Sequence, residues 1–281
     1  MQLAAFKTFL AIVETGSLVR ASERLNVTQS TVTARLQSLE EALGTTLLLR
    51  HKRGITLTAA GVKFKRYAEA MLDLWWQAQQ ETALPDGADD VCNIGCHPDL
   101  WPTLGTRLFT HLMHHSPRTV LSAVPGTQSD LEQALTNGVI DCALCFQPSS
   151  TAAQQSLPLP IETLVLVSPD AAASVTHQPG YVYVDAGDQF ARDHTAAYTD
   201  AAVAKIHLGS TVWGLDHLLA HGGSAYLPAS LVEPHLARGT LHRLDAPTFE
   251  RPTFFLVSEP AATRWQHLHA ALNAPPSTPP D

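Results

Sequence analysis

The 281-residue chain carries 18 Lys and Arg against 26 Asp and Glu, a formal charge of −8 that argues against indiscriminate nucleic-acid binding by the whole molecule. The charge is uneven: residues 1–80 hold ten basic against six acidic side chains, residues 81–281 eight against twenty, which confines affinity for DNA to one end. The length predicts one to three compact domains, and the lack of any eighteen-residue apolar run or signal-peptide pattern argues against a membrane span and predicts a cytoplasmic chain with four reduced thiols.

Leu3, Phe6, Phe9, Leu10 and Val13 give a first helix one apolar face, with Gly16 at its end and Ser17 capping the next. A second helical pattern, Leu18 to Leu25, keeps Ala21 small where another helix can approach. After Asn26-Val27-Thr28 a third begins, with the Thr28 hydroxyl placed to cap it and Val27 and Val32 at staple positions. Val32, Leu36, Leu39 and Leu43 form its predicted buried stripe. Gln29, Ser30, Thr33, Ala34 and Gln37 lie off that stripe, and Arg35 lies on its other flank. Helix, tight turn and helix with small polar groups at the start of the second describe a helix-turn-helix that reads DNA; a plain αα-hairpin shares the apolar pattern. The β-like run Thr45 to Arg50, the basic tip His51-Lys52-Arg53-Gly54 and the strand Ile55 to Leu57 then predict a hairpin wing. Its Lys52 and Arg53 would meet phosphates or the minor groove, or else form a solvated charged turn. Thr58 caps a long helix, with Leu57 and Val62 at staple spacing. Its stripe Phe64, Tyr67, Ala68, Met71, Leu72 and Trp75 is too apolar to stay in solvent; it is covered either by a second subunit or by the chain's own body.

These residues carry a resemblance to the LysR-type transcriptional regulators: Phe6, Phe9, the run ETGSLVRASERLNVTQSTVTARLQSLEEALG, Leu48, Arg50, and LTAAG at Leu57 to Gly61. It is close over about the first eighty residues and looser beyond. The family often has a basic residue where Ala34 stands, a Gln at Arg35 and a Phe at Leu18 and Leu48, so the operator sequence does not transfer from relatives. The resemblance implies that Gln29 and Thr33 read base edges, Arg35 touches a base or phosphate, and Thr28, Ser30 and Arg53 position the backbone of a double-stranded operator. It also implies a homodimer through Phe64, Tyr67, Met71, Leu72 and Trp75, assembly to a homotetramer, and contact with RNA polymerase.

Residues 81–90, ETALPDGADD, read as a hinge. Beyond it, strand and helix alternate: strands are predicted at Val91–Gly95, Val120–Val124, Asp141–Phe146, Thr163–Ser168, Tyr181–Asp185, Lys205–Leu208, Ser224–Pro228 and Phe254–Ser258, with a final helix over Ala261–Leu272. The alternation argues a parallel α/β sheet. The predicted organisation is a winged helix-turn-helix over 1–57, a dimerisation helix over 58–80, a hinge over 81–90, an effector-binding domain over 91–274 and a disordered tail over 275–281. The resemblance divides the effector domain into two α/β subdomains like those of periplasmic solute-binding proteins, 91–162 with 261–274 and 163–260. Phe254–Ser258 is thereby assigned to the second. Ligands sit at the carboxyl ends of such strands, near helix N-termini. The candidates for a small-molecule effector are Cys96, His97, Asp99, Trp101, Gly126, Thr127, Gln128, Phe146, Gly209 and Ser210, with Asp185 on the opposite wall.

No nucleophile elbow, HExxH, Walker or GxGxxG arrangement supports enzyme activity, and no cofactor or metal is predicted. His111, His114 and His115 read as a solvated helix end rather than a metal site. Cys92-x3-Cys96 and Cys142-x2-Cys145 read as packing residues, although a helix N-terminus after Pro98 would lower the pKa of Cys96 and make sensing by Cys96 and Cys145 conceivable. The chain is read as a DNA-binding regulator modulated by an effector. The alternative is a small-molecule-binding protein or enzyme whose helical head only oligomerises.

Overall fold

A computed structural model describes residues 2–51, 54–82, 84, 87–173, 180–198 and 204–273. The chain forms two compact units, Met1–Gly87 and Ala88–Asp281. Lys52 and Arg53 at the predicted wing tip, part of the predicted hinge (Ala83, Pro85 and Asp86) and the tail 275–281 lie outside the described residues.

The first unit is built by local signals. Helix α1 (Gln2–Thr15) ends at Gly16, whose φ is 63°. Ser17 accepts a hydrogen bond from the Arg20 N–H at the start of α2 (Leu18–Arg24). Asn26 then turns the chain with φ 51°, a left-handed conformation that Asn tolerates better than most residues. Thr28 Oγ1 accepts from the Thr31 N–H and caps α3 (Gln29–Leu43). Phe9, Ile12, Ala21 and Val32 are fully buried, with Leu36 and Leu39 beside them. The predicted α3 stripe stops there: Leu43 is 43% exposed, because it is the last helical residue before Gly44 closes the helix.

Strands β1 (Leu48–His51) and β2 (Gly54–Leu57) pair antiparallel as the hairpin, and the 24-residue α4 (Ala59–Thr82) follows. Thr58 caps α4 through the Gly61 N–H at 2.9 Å. A Cβ on Gly61 would lie 2.1 Å from the Leu47 carbonyl oxygen, so the missing side chain lets helix and hairpin touch. The staple predicted between Leu57 and Val62 does not form, since Val62 points to solvent. The predicted α4 stripe also divides. Phe64 meets Phe6 and Phe9 edge-on, Ala68 is fully buried, and Met71 and Leu72 pack on the same core. Tyr67 and Trp75 remain exposed, with Leu74 and Trp76. Periodicity placed these residues on one strip; α1 covers only part of it.

In the second unit β3 (Asp90–Cys96) runs parallel to β4 (Thr119–Pro125) and β5 (Cys142–Cys145), with α5 (Thr106–His115) and α6 (Gln128–Thr136) as the connecting helices. Next come β6 (Gln154–Ser168), β7 (Val182–Val184), α7 (Asp188–Ala197), β8 (Ile206–Leu208), α8 (Thr211–His221), β9 (Ala225–Pro228), α9 (Ala229–Ala237), β10 (His242–Arg243), β11 (Phe249–Ser258), α10 (Glu259–Trp265) and α11 (His267–Asn273). The main sheet has the order β10-β6-β11-β5-β3-β4, and β9 also pairs with β6.

Four expectations are corrected here. The sheet is mixed, because β11 lies antiparallel to both β5 and β6. Strand β6 begins at Gln154, before Thr163, and the chain stays extended through Pro158 and Pro160 although neither has an N–H to give the ladder. Phe254 to Val257, assigned to the second subdomain, pair with Cys142 to Cys145 and so complete the sheet of the first. Strands β6 and β11 thus serve both halves: residues 154–159 pair with 253–258, and residues 162–164 with 249–251, the register shifting between Arg251 and Thr253. The predicted final helix is two, α10 and α11, broken at Gln266. Apolar residues fill the space between sheet and helices, including Leu100, Leu108, Leu112, Phe255 and Leu268 in the first half and Val165, Val184, Leu218 and Leu227 in the second. Among the described residues no helix is long and apolar enough to cross a membrane.

Candidate nucleic-acid interface and ligand cleft

On α3, the buried edge of Val32, Leu36 and Leu39 leaves Thr28, Gln29 and Ser30 exposed and Thr33 and Arg35 half-buried. Thr28 Oγ1 lies 2.8 Å from both the Ser30 and Thr31 hydroxyl oxygens, which fixes the polar cluster at the helix start. Thr33 donates its hydroxyl to the Gln29 carbonyl at 3.0 Å, so it offers outward a lone pair and a methyl group. Gln29 has its side chain in solvent at the first helical position. This is the geometry of an end-on groove reader: donors and acceptors at the helix start, apolar residues behind.

The second unit contains a polar cavity of about 230 Å³ lined by His97, Asp99, Gln128, Phe146, Gln147, Asp185, Ala186, Gly187, Gly209 and Arg251. Its floor is a buried charge cluster. Asp99, 4% exposed, accepts from the Ser210 hydroxyl at 2.5 Å through Oδ1 and from the Thr211 N–H at 2.9 Å through Oδ2. The carboxylate therefore sits on the N-terminus of α8, where unpaired N–H groups and the helix dipole favour negative charge. Arg251 donates from Nε and Nη2 to Glu162 Oε2 at 2.9 and 2.7 Å, and its Nη1 lies 3.8 Å from Asp99. The guanidinium lies over Phe146, 3.9 Å from the ring centroid. Burial raises the Glu162 pKa against the opposing pull of Arg251, and burial holds that of His97 down. His97 is further fixed by the Asp99 N–H, which donates to its Nδ1, and by edge-on contact with Phe146.

Of the eleven predicted effector residues, six line this cavity: His97, Asp99, Gln128, Phe146, Asp185 and Gly209. Ser210 joins it through Asp99. Cys96 and Trp101 face elsewhere, lining an apolar cavity of about 240 Å³ with Pro98, Ala123, Val124 and Pro125. The chain after β3 does not pass directly into a helix, which explains the divergence: Pro98–Leu100 is a 3₁₀ turn and Trp101–Gly105 one π-helical turn. Gly126 packs against Leu131, and Thr127 closes a capping box with Asp130; neither lines the polar cavity. Arg251 and Glu162 were not anticipated. The only available signal was a charge on each of two apolar strands, with nothing to join residues 89 positions apart.

The expected lowering of the Cys96 pKa is overturned. All four thiols are buried, and burial pushes Cys96 and Cys145 up to about 12, since no water stabilises the thiolate. Cys92, Cys96 and Cys142 pack in one core and Cys145 in another, on the opposite face of β5.

Comparison with known proteins covers both units. Residues 3–62 match the family model of the bacterial regulatory helix-turn-helix protein, lysR family, and residues 85–272 the LysR substrate binding domain. The chain is 30% identical to the HTH-type transcriptional regulator YofA of Bacillus subtilis (strain 168), over 92% of this chain and 95% of that protein. It is 28% identical to the HTH-type transcriptional regulator HdfR of Salmonella schwarzengrund (strain CVM19633), over 90% and 91%. Among solved structures, CbnR, a LysR family transcriptional regulator, superposes with a TM-score of 0.75 at 19% identity, covering 98% of this chain and 100% of that one. Full-length CbnR complexed with its target DNA gives 0.72 at the same identity, covering 96% and 99%.

Proposed function

Because the chain belongs to the LysR family of bacterial helix-turn-helix transcriptional regulators, we propose that it binds a duplex operator through the start of α3 and that a small effector in the polar cavity modulates that binding. The carrying observation is the two-sided α3, with Val32, Leu36 and Leu39 buried and Gln29 and Ser30 in solvent. Gln29 and Thr33 read base edges, Thr33 as acceptor and methyl contact only. Arg35 touches a base or phosphate; Thr28 and Ser30 position the backbone; Lys52 and Arg53 contact phosphates. Dimerisation uses the uncovered side of α4, Tyr67 and Trp75 with Leu74 and Trp76, rather than Met71 and Leu72, which pack on the chain's own core. Two dimers form a tetramer, and RNA polymerase is the further partner.

The test is binding of the full chain to the DNA upstream of its own gene, before and after charge reversal of Arg35 and Arg53. Binding is expected to be lost; unchanged binding would favour a head that only oligomerises. Gln29→Ala is expected to relax specificity at one operator position at a cost of about 1–3 kcal/mol. A footprint with no shift in base preference would remove Gln29 as a reader.

A further inference from the structure

We propose that Asp99 determines the specificity of the cleft: it fills the anion position at the α8 N-terminus from within, bars carboxylates, and leaves a receptor for a small organic ammonium. This rests on the reading of the polar cavity as the effector site.

A helix N-terminus is a ready site for an acid. Here both carboxylate oxygens of Asp99 already occupy it, on Ser210 and Thr211, from more than a hundred residues away in sequence. An acidic ligand aimed at the same N–H would have to displace a buried side chain. It would also add negative charge to a site that holds Asp99 and Asp185 in its wall and Glu162 behind, against the single guanidinium of Arg251.

The donor inventory points the same way. Arg251 directs Nε and Nη2 at Glu162, while its Nη1, 3.8 Å from Asp99, is paired by charge and not by a hydrogen bond. The Gly187 N–H goes to Asp185 Oδ1, and Gln128 Nε2 goes to Glu132 and to the Gln147 carbonyl. Apart from that Nη1, the side-chain atoms of the lining residues left without a hydrogen bond are mostly acceptors: Asp185 Oδ2, the Gln128 amide oxygen and the further lone pairs of Asp99. His97 accepts at Nδ1, so its hydrogen is on Nε2, a single neutral donor for an uncharged acceptor on the ligand. A ligand satisfying this set brings positive charge and several N–H groups. At about 230 Å³ it is smaller than a drug-sized molecule.

The experiment uses the full-length protein and matched probes with a four-carbon chain: putrescine, butanediol and succinate, with acetate as a fourth. Thermal unfolding and operator affinity are read for the parent, Asp99→Asn and Asp99→Gly. Putrescine is expected to stabilise the parent saturably, and butanediol and succinate are not. Asp99→Asn, which keeps the shape, is expected to lose affinity for putrescine by about ten- to a hundredfold. Asp99→Gly, with the N-terminus vacated, is expected to take up acetate and to recover stability with it. A parent that responds to succinate as strongly as to putrescine, or to none of the four probes, overturns the proposal; so does an Asp99→Asn protein that binds putrescine like the parent. Gln128→Ala and Asp185→Asn separate the two levels. If they abolish the putrescine response while the Asp99 variants do not, the cleft stands and the role of Asp99 falls. If none of the substitutions alters it, the cleft reading has failed.

Discussion

Replacing Arg251 by Met removes the one cation between two buried carboxylates, and the loss can be worked through in steps. Two charge-assisted hydrogen bonds to Glu162 disappear, each worth about 1.5–3 kcal/mol. Breaking a buried pair from one side typically costs about 3–5 kcal/mol. Glu162 escapes part of this by taking up a proton. Burial already holds its pKa above the ordinary value of 4.5, and without Arg251 it rises further. Protonation at pH 7 of a group with that ordinary pKa costs about 3 kcal/mol, which caps the electrostatic part of the loss; at pH 5 the cap falls below about 1 kcal/mol. A carboxylate whose folded pKa is raised stabilises most below its unfolded pKa and loses that contribution as pH rises through the folded value. The Arg251→Met protein is therefore expected to be about 3–5 kcal/mol less stable than the parent at pH 7 and to regain about 2–3 kcal/mol of that deficit by pH 5. The four cysteines provide the assay, because all are buried in the second unit and report only its unfolding. Urea titrations would be followed by labelling with a dipyridyl disulfide, which reacts at both pH values. Adding Glu162→Leu is expected to restore stability to within about 1–2 kcal/mol of the parent. A deficit under about 1 kcal/mol at pH 7, or one equal at the two pH values, would refute Arg251 as the counter-ion of Glu162.

Three further outcomes are expected. Gly61→Ala, favourable in an ordinary helix, should instead lower the melting temperature of the first unit, because the added methyl group meets the Leu47 carbonyl; a rise would show that helix and hairpin can part without cost. Tyr67→Glu combined with Trp75→Glu should yield monomers with an intact head, whereas Met71→Glu should damage the head itself, so sedimentation and circular dichroism should separate the two. Native thiol labelling at pH 8 should be slow at Cys96 and Cys145 and limited by opening of the fold; rapid labelling of either would contradict their burial and raised pKa.

The first unit was legible almost throughout, because caps, helical periods and the hairpin lie within a few residues of each other. Thr28, Gly16 and the Phe9 to Leu39 core needed no distant information. The failures there are Leu43, whose helical period is right, and Val62, whose staple spacing is right, but which no neighbouring element covers. In the second unit, β3, β4 and β5 were legible as alternating strand and helix, and so were the loops at their carboxyl ends that carry His97, Gln128 and Phe146. Strand β6 was legible only from Thr163; its first half, which holds Pro158 and Pro160, is kept extended by pairing with β11, a partner far away in sequence. The charge cluster was half legible. Asp99 and Ser210 both stand at strand ends and were read as candidates, but that they meet, and that Thr211 and Arg251 join them, is supplied by topology, which no local spacing encodes.

The sharing of β6 and β11 between the two halves has a mechanical consequence. Neither strand is interrupted, so one half of this unit can swing against the other only by flexing a two-ply ribbon. The ladder of that ribbon skips at Pro252, which can donate no backbone hydrogen bond, so fewer bonds resist flexing there. Arg251 and Glu162 face each other across the ribbon directly beside that soft point, and Arg251 also forms part of the cavity wall. Arg251 thus belongs at once to the cavity wall and to the ribbon, one residue from the place where the ladder skips.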